Sequence, residues 1–223
     1  MEMSETVQHL VESAKIYQMV TERLDLIQSH TFESELIEWI LDIYSQDEPP
    51  VEGLQKFSMP QVMYYLQASH KLYLSKTLPE IEQSMAHIQK RHDDTLLHAL
   101  ILFFNHYKID FLEHIRMEER DLFPYLKKLH EIDPQSTSKE EIATLLSQSP
   151  MEKFEHDAIE DELKRVSDII HHYCGDEEVP LPFKVFLNQV EIFEMDLRKH
   201  AFIEDHVLMP MAQRKEAELK ALI

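Results

Sequence analysis

The sequence predicts an all-α protein, an up-down-up-down four-helix bundle with an N-terminal helical extension. Only two of the 223 residues are glycine, and glycine is what turns needing positive φ require. Leu, Ile, Met, Glu and Lys are plentiful, a composition that favours long helices. Beyond residue 57, four long segments space their apolar residues alternately by three and four, which marks one buried helical face.

Residues 1–57 carry two helical patterns, near Glu5–Gln28 and Phe32–Gln46, ended by the linker Asp47-Glu48-Pro49-Pro50. They hold no chemistry-bearing motif and read as a docking or dimerisation pair, so a homodimer is the expected self-association. Residues 58–223 are expected to form the bundle. Helix A opens at Ser58-Met59-Pro60, an N-cap followed by an early proline, and runs to about Arg91. His92-Asp93-Asp94-Thr95 turns the chain into helix B, which continues to about His130 and stops before Pro134. A minor helix over Ser138–Ser147 leads to Ser149-Pro150-Met151-Glu152, a capping-box pattern opening helix C. Helix C ends near Cys174-Gly175, and Val179-Pro180-Leu181-Pro182 opens helix D, which runs past Met211. Short connections between consecutive helices favour antiparallel neighbours.

Composition excludes several roles. A formal charge of −20 with no basic stripe speaks against nucleic acid, whose phosphates need cations. No apolar run approaches the roughly 20 residues of a membrane span, and Met1–Thr6 has no basic-then-apolar leader pattern. A single cysteine, Cys174, forms no internal disulfide and is too little for a zinc finger or an iron–sulfur cluster. A cytoplasmic location is expected.

The core stripes are interrupted at particular places. Helix B reads Leu100, Phe104, Tyr107, Phe111, His114, Glu118, Leu122, Tyr125, and helix D reads Phe183, Phe186, Val190, Phe193, Leu197, His200, Glu204, Val207. Helix C reads His156, Ile159, Leu163, Val166, Ile170, Tyr173, and helix A reads Met63, Leu66, His70, Tyr73 or Leu74, Thr77, Ile81. Six polar residues therefore stand on core-facing stripes: His70, His114, Glu118, His156, His200 and Glu204. A buried carboxylate needs compensation. A dication supplies it, and a histidine–carboxylate set suits iron, manganese or zinc. Within His-x-x-x-Glu, four residues leave both side chains on one face a turn apart. Core histidines hydrogen-bonded to glutamates without a metal are the alternative.

The pair alone is a weak signal, since about two are expected by chance at this composition and the chain has three, including His156 with Glu160. An internal repeat is stronger. His70 to His156, His114 to His200, Glu118 to Glu204 and Pro124 to Pro210 are all steps of 86 residues. The two halves read as copies of one helix pair, each contributing two histidines and a glutamate. Chain geometry agrees. With turns near residue 93 and over 174–182, antiparallel helices rising about 1.5 Å per residue bring all six side chains to one layer within a turn. The same ruler places His92 at a bundle end, about 33 Å along a helix from His70 and His114. His87, His98, His106, His171, His172 and His206 fall off the stripes and are expected to be solvated.

Ferritin-like di-iron bundles place glutamate three residues before histidine, a spacing no histidine of this chain has. Instead, residues 58–212 resemble the hemerythrin-like His-His-Glu domain. The resemblance rests on Ser69-His70, Leu78-Pro79-Glu80-Ile81-Glu82, His114-Ile115-Arg116-Met117-Glu118-Glu119-Arg120-Asp121-Leu122-Phe123-Pro124, Glu155-His156-Asp157 and His200-Ala201-Phe202-Ile203-Glu204. Within that domain class, the chain is most similar to the di-iron family called repair of iron centres. The resemblance implies two iron ions joined by an oxo or hydroxo bridge, Glu118 and Glu204 as bridging ligands, and His70, His114, His156 and His200 as terminal ones.

Two departures shape the function it implies. Oxygen-carrying hemerythrins have a fifth histidine one turn from another on the third helix; here the positions four residues either side of His156 are Glu152 and Glu160. The resemblance then implies four protein donors per iron and the oxo or hydroxo bridge as a fifth, leaving one open position on each octahedral metal, suited to O2, NO or peroxide rather than simple oxygen carriage. Repair-family members often carry an N-terminal cysteine pair, which this chain lacks. The resemblance thus implies a stress-response protein that binds nitric oxide or oxygen species and acts on damaged iron–sulfur proteins. A gas or iron sensor, store or carrier is the alternative, followed by a helical interaction protein with a vestigial or structural site and by a di-iron oxidase.

Overall fold

A computed structural model of the protein describes residues 14–23, 34–45, 57–90, 95–151, 154, 163, 166, 169 and 179–223. Among them every regular element is helical. Residues 14–23 form α1, and α2 spans Ser34–Ser45. Then come α3 (Met59–Leu72), π1 (Tyr73–Thr77) and α4 (Leu78–Gln89), which follow one another without a break. The same holds for α5 (Thr95–Met117), π2 (Glu118–Leu122) and α6 (Phe123–Glu131), and for the last run of α8 (Leu181–Ile203), π3 (Glu204–Leu208) and α9 (Met209–Lys220). The minor helix α7 is Lys139–Ser147. Helix C is represented by residues 163, 166 and 169, which are helical. No helix among the described residues is long and apolar enough to cross a membrane.

Local chemistry explains the starts. Ser58 caps α3: its backbone N–H and hydroxyl both donate to Gln61 Oε1 at 2.8 Å, and its carbonyl accepts from Gln61 and Val62. The complete capping box lies at α7, where Ser138 Oγ accepts from the Glu141 backbone and Glu141 accepts from Ser138. Those bonds hold the Glu141 carboxyl below its ordinary range, the backbone donor acting most strongly. At the box expected before helix C, Met151 N–H donates to Ser149 Oγ at 3.4 Å, while Glu152 lies outside the described residues.

Packing divides the chain into two compact units, Met1–Leu72 with Leu126–Gln148 and Phe202–Ile223, and Tyr73–Tyr125 with Ser149–Ala201. In the first, the extension is built into the core. Val20, Leu36, Ile40 and Ile43 are buried, as are Val62, Tyr65 and Leu66 of α3. Tyr65 Oη donates to Tyr44 Oη at 3.2 Å, and Trp39 rests on Phe57 with ring centroids 5.8 Å apart. α9 packs on α7, and π3 on α3.

The second unit is organised around an aromatic cluster. Phe193 lies edge-on to Tyr73, Tyr107 and Phe111, at centroid distances of 5.4, 6.3 and 5.5 Å. Leu78, Ile81, Met85, Ile88, Leu97, Leu100, Phe104, Leu163, Val166, Phe183 and Phe186 extend this core. Tyr73 touches Phe111, and Glu82 pairs with Lys108. Residues farther from the 91–94 connection on one helix thus meet residues farther from it on the other. The two helices are therefore antiparallel; residues 91–94, where the sequence predicts the turn, lie outside the described residues. Tyr73 is buried and Leu74 exposed, which resolves the alternative on helix A.

Phe193→Ala is expected to destabilise the protein by about 3–5 kcal/mol, read as a lower denaturant midpoint. Ser138→Ala is expected to return Glu141 toward its ordinary titration range and to speed amide exchange in α7. Because the carboxyl is held low, the capping contribution is present at neutral pH and lost as pH falls through that range. NMR titration and exchange rates check both effects.

Candidate metal centre

Among the described residues the α-helical ladder is interrupted three times, each time in the same sequence relation to proline. π1 starts at Tyr73, π2 at Glu118 and π3 at Glu204, and Pro79, Pro124 and Pro210 each follow six residues later. In an uninterrupted α-helix, proline offers no N–H and its ring presses on the carbonyl four residues back. Widening the ladder by one residue relieves both. The Phe123 N–H accordingly donates to the Glu118 carbonyl and the Met209 N–H to the Glu204 carbonyl, five residues back in both cases. π-bulges occur often at functional sites, and here two of the three begin at a candidate ligand while π1 begins three residues after one.

Glu118 and Glu204 are fully buried, and His70 and His200 are 2% and 5% exposed. One ligand atom each from His70, Glu118 and His200 forms a group whose members all lie within 4.8 Å of one another. Donors held about 2.0–2.2 Å from one cation are at most about 4.4 Å apart, so small side-chain adjustments bring these three around an ion. His114 is half-buried, with Nε2 2.9 Å from Glu118 Oε1. Glu204 occupies the first position of π3, the place Glu118 holds in π2. His156 lies outside the described residues, with its neighbour Glu160, as do His92, His171, His172 and Cys174. His87, His98, His106 and His206 are exposed, and the His206 ring stacks on Phe202.

Two features escaped the motif reading. Tyr73 is completely buried and lies edge-on to His200 at 5.8 Å, while Phe111 and Phe193 pack on the Tyr73 ring. The sequence offers Tyr73 only as a stripe residue. Asp196, one turn before His200, is buried as well. Its place on the helix D face is concealed because Leu197 beside it satisfies the stripe.

Two histidines and a carboxylate in a dry interior are a donor set for a divalent transition metal, and burial favours a cation that neutralises the carboxylate. Residues 63–212 match the family described as the hemerythrin HHE cation binding domain. No curated protein and no solved structure matches the chain significantly.

Pro124→Ala restores a donor and removes the ring, allowing the ladder to close four residues back. The metal-free protein is expected to gain about 1–2 kcal/mol while its metal retention falls. Denaturant unfolding without metal and metal analysis after dialysis read the two effects separately.

Proposed function

The chain belongs to the hemerythrin HHE cation-binding family, and from that premise we propose that it holds a non-haem di-iron centre and binds nitric oxide or oxygen species in the repair of iron–sulfur clusters under nitrosative or oxidative stress. The observation that carries the metal part of this reading is the buried group of His70, Glu118 and His200. His114, His156 and Glu204 complete the proposed ligand set. Their support is the 86-residue repeat, the contact of His114 with Glu118 and the burial of Glu204 at the start of π3.

Iron in that set supplies redox-active binding of small diatomic molecules. The protein's own contributions are definable. Glu118 and Glu204 are fully buried carboxylates, so each favours a bound cation more strongly than a surface carboxylate does. Tyr73 orients the His200 ring and keeps its surroundings apolar, which tunes a metal site from outside its ligands.

The second reading is a sensor, store or carrier of iron or a diatomic gas. It is favoured by the lack of an N-terminal cysteine pair, since Cys174 is the only cysteine. It is also favoured by an extension packed onto α3, the helix that carries His70. Reactivation of a nitrosylated iron–sulfur enzyme distinguishes the two. Repair predicts stimulation beyond that given by free ferrous iron, and equal rates would exclude it.

Glu118→Ala or Glu204→Ala is expected to remove most of the bound iron, because in the proposed centre each carboxylate would serve both ions. His92→Ala is expected to retain it. Iron stoichiometry on freshly purified protein measures this, and a wild-type chain that takes up no iron would end the di-iron reading.

A further inference from the structure

The one fully buried guanidinium among the described residues belongs to a helix without any assigned role. Arg23, on α1, is 1% exposed. Its Nε donates to Ser69 Oγ at 2.6 Å, one of its terminal nitrogens donates to the Met19 carbonyl at 2.7 Å, and its cation lies 5.7 Å from the centre of the Tyr65 ring. The Ser69 hydroxyl in turn donates to the Tyr65 carbonyl at 3.2 Å. Ser69 is therefore fixed from two directions, and the residue that follows it is His70.

This arrangement has a mechanical reason. Three residues past His70 the ladder changes to π geometry, which weakens the intrahelical support of the turn that carries the imidazole. Side-chain bonds from outside the helix replace some of that support. Burying a guanidinium is costly unless its donors are used, so docking of α1 in this position depends on the Ser69 turn, and the Ser69 turn depends on α1. Tyr44 on α2 gives the same helix a second anchor through Tyr65.

We propose that Arg23 is a positioning residue for the metal centre: its bond to Ser69 fixes the turn that carries His70 and so links docking of α1 to metal retention. The proposal rests on the metal reading given above. By linkage, metal bound at His70 stabilises the docked α1 to the same extent that docking stabilises bound metal.

The test uses the full chain loaded with cobalt(II), whose visible absorption reports coordination geometry, and follows release of cobalt to excess chelator. Arg23→Met and Ser69→Ala are each expected to accelerate release about tenfold, the range found when groups supporting a ligand are removed. The double variant should be no faster than either single one, because both remove the same bond. Arg23→Lys, which retains one donor, should fall between wild type and Arg23→Met. Val20→Ala loosens the packing of α1 but keeps the Arg23–Ser69 bond, so it should accelerate release less than Arg23→Met does. Unchanged release in Ser69→Ala, additive effects in the double variant, or release from Val20→Ala as fast as from Arg23→Met would each overturn the proposal. Ser69→Ala decides the matter if Arg23→Met fails to fold. A wild-type chain that binds no cobalt would instead sink the metal reading itself, a different and recognisable result.

Discussion

Two glutamates without solvent contact set the terms for this molecule. Glu118 and Glu204 are fully buried on helices whose other inward residues are largely leucine, phenylalanine, tyrosine and valine. Carrying a carboxylate into such a medium costs several kcal/mol beyond what a single hydrogen bond returns. Histidine within contact distance of Glu118 meets part of that cost. A cation held by His70, Glu118 and His200 would meet it in a way that a neutral imidazole does not, because attraction between opposite charges is strongest where water is absent. The surrounding hydrophobic core supplies the stability from which that local cost is met.

The prolines belong to the same design. A helix interior is a poor place for proline, and three of them in long helices would ordinarily mark breaks or kinks. Here each is preceded by a π segment that absorbs its missing donor. The added residue rotates everything downstream relative to everything upstream. On helix A the inward stripe consequently shifts: Tyr73 and Leu78, five residues apart, are both buried, whereas Thr77 is only half-buried. The wide turn lets a ligand carboxylate and the apolar residues beyond it share one side of the helix without either being displaced by a regular 3.6-residue period.

That displacement explains what was legible in the sequence and what was not. Helix existence and position were legible because amphipathic spacing persists over many turns, and the C-terminal ends of α4 and α6 and the start of α8 fall within two residues of the expected ones. The grouping of His70, Glu118 and His200 was legible too, because polar residues on an apolar stripe have few reasons to be there. The π segments were not read, although their signal was present: the Glu-x-x-x-x-x-Pro spacing marked the repeat, and its physical meaning lies in proline's absent donor. Arg23 was illegible. It lies 46 residues from Ser69, and nothing local distinguishes a buried arginine from the solvated ones that dominate helix surfaces. The role of the extension appears only once tertiary contacts are known.

The repeat predicts that its two halves are equivalent, and the structure qualifies this. Glu118 and Glu204 do share burial and backbone setting, each opening a π segment with its carbonyl bonded five residues ahead. Their histidines differ. His200 is enclosed by Tyr73, whose ring meets it edge-on within a cluster of phenylalanines, while His114 remains half-buried, with 22% of its side chain in contact with solvent. Duplication fixes which atoms are offered, because ligand identity is carried by single positions 86 residues apart. Access is set by neighbours that the duplication does not preserve. The two histidines four residues before these glutamates therefore stand in different surroundings, His200 buried and His114 half-buried.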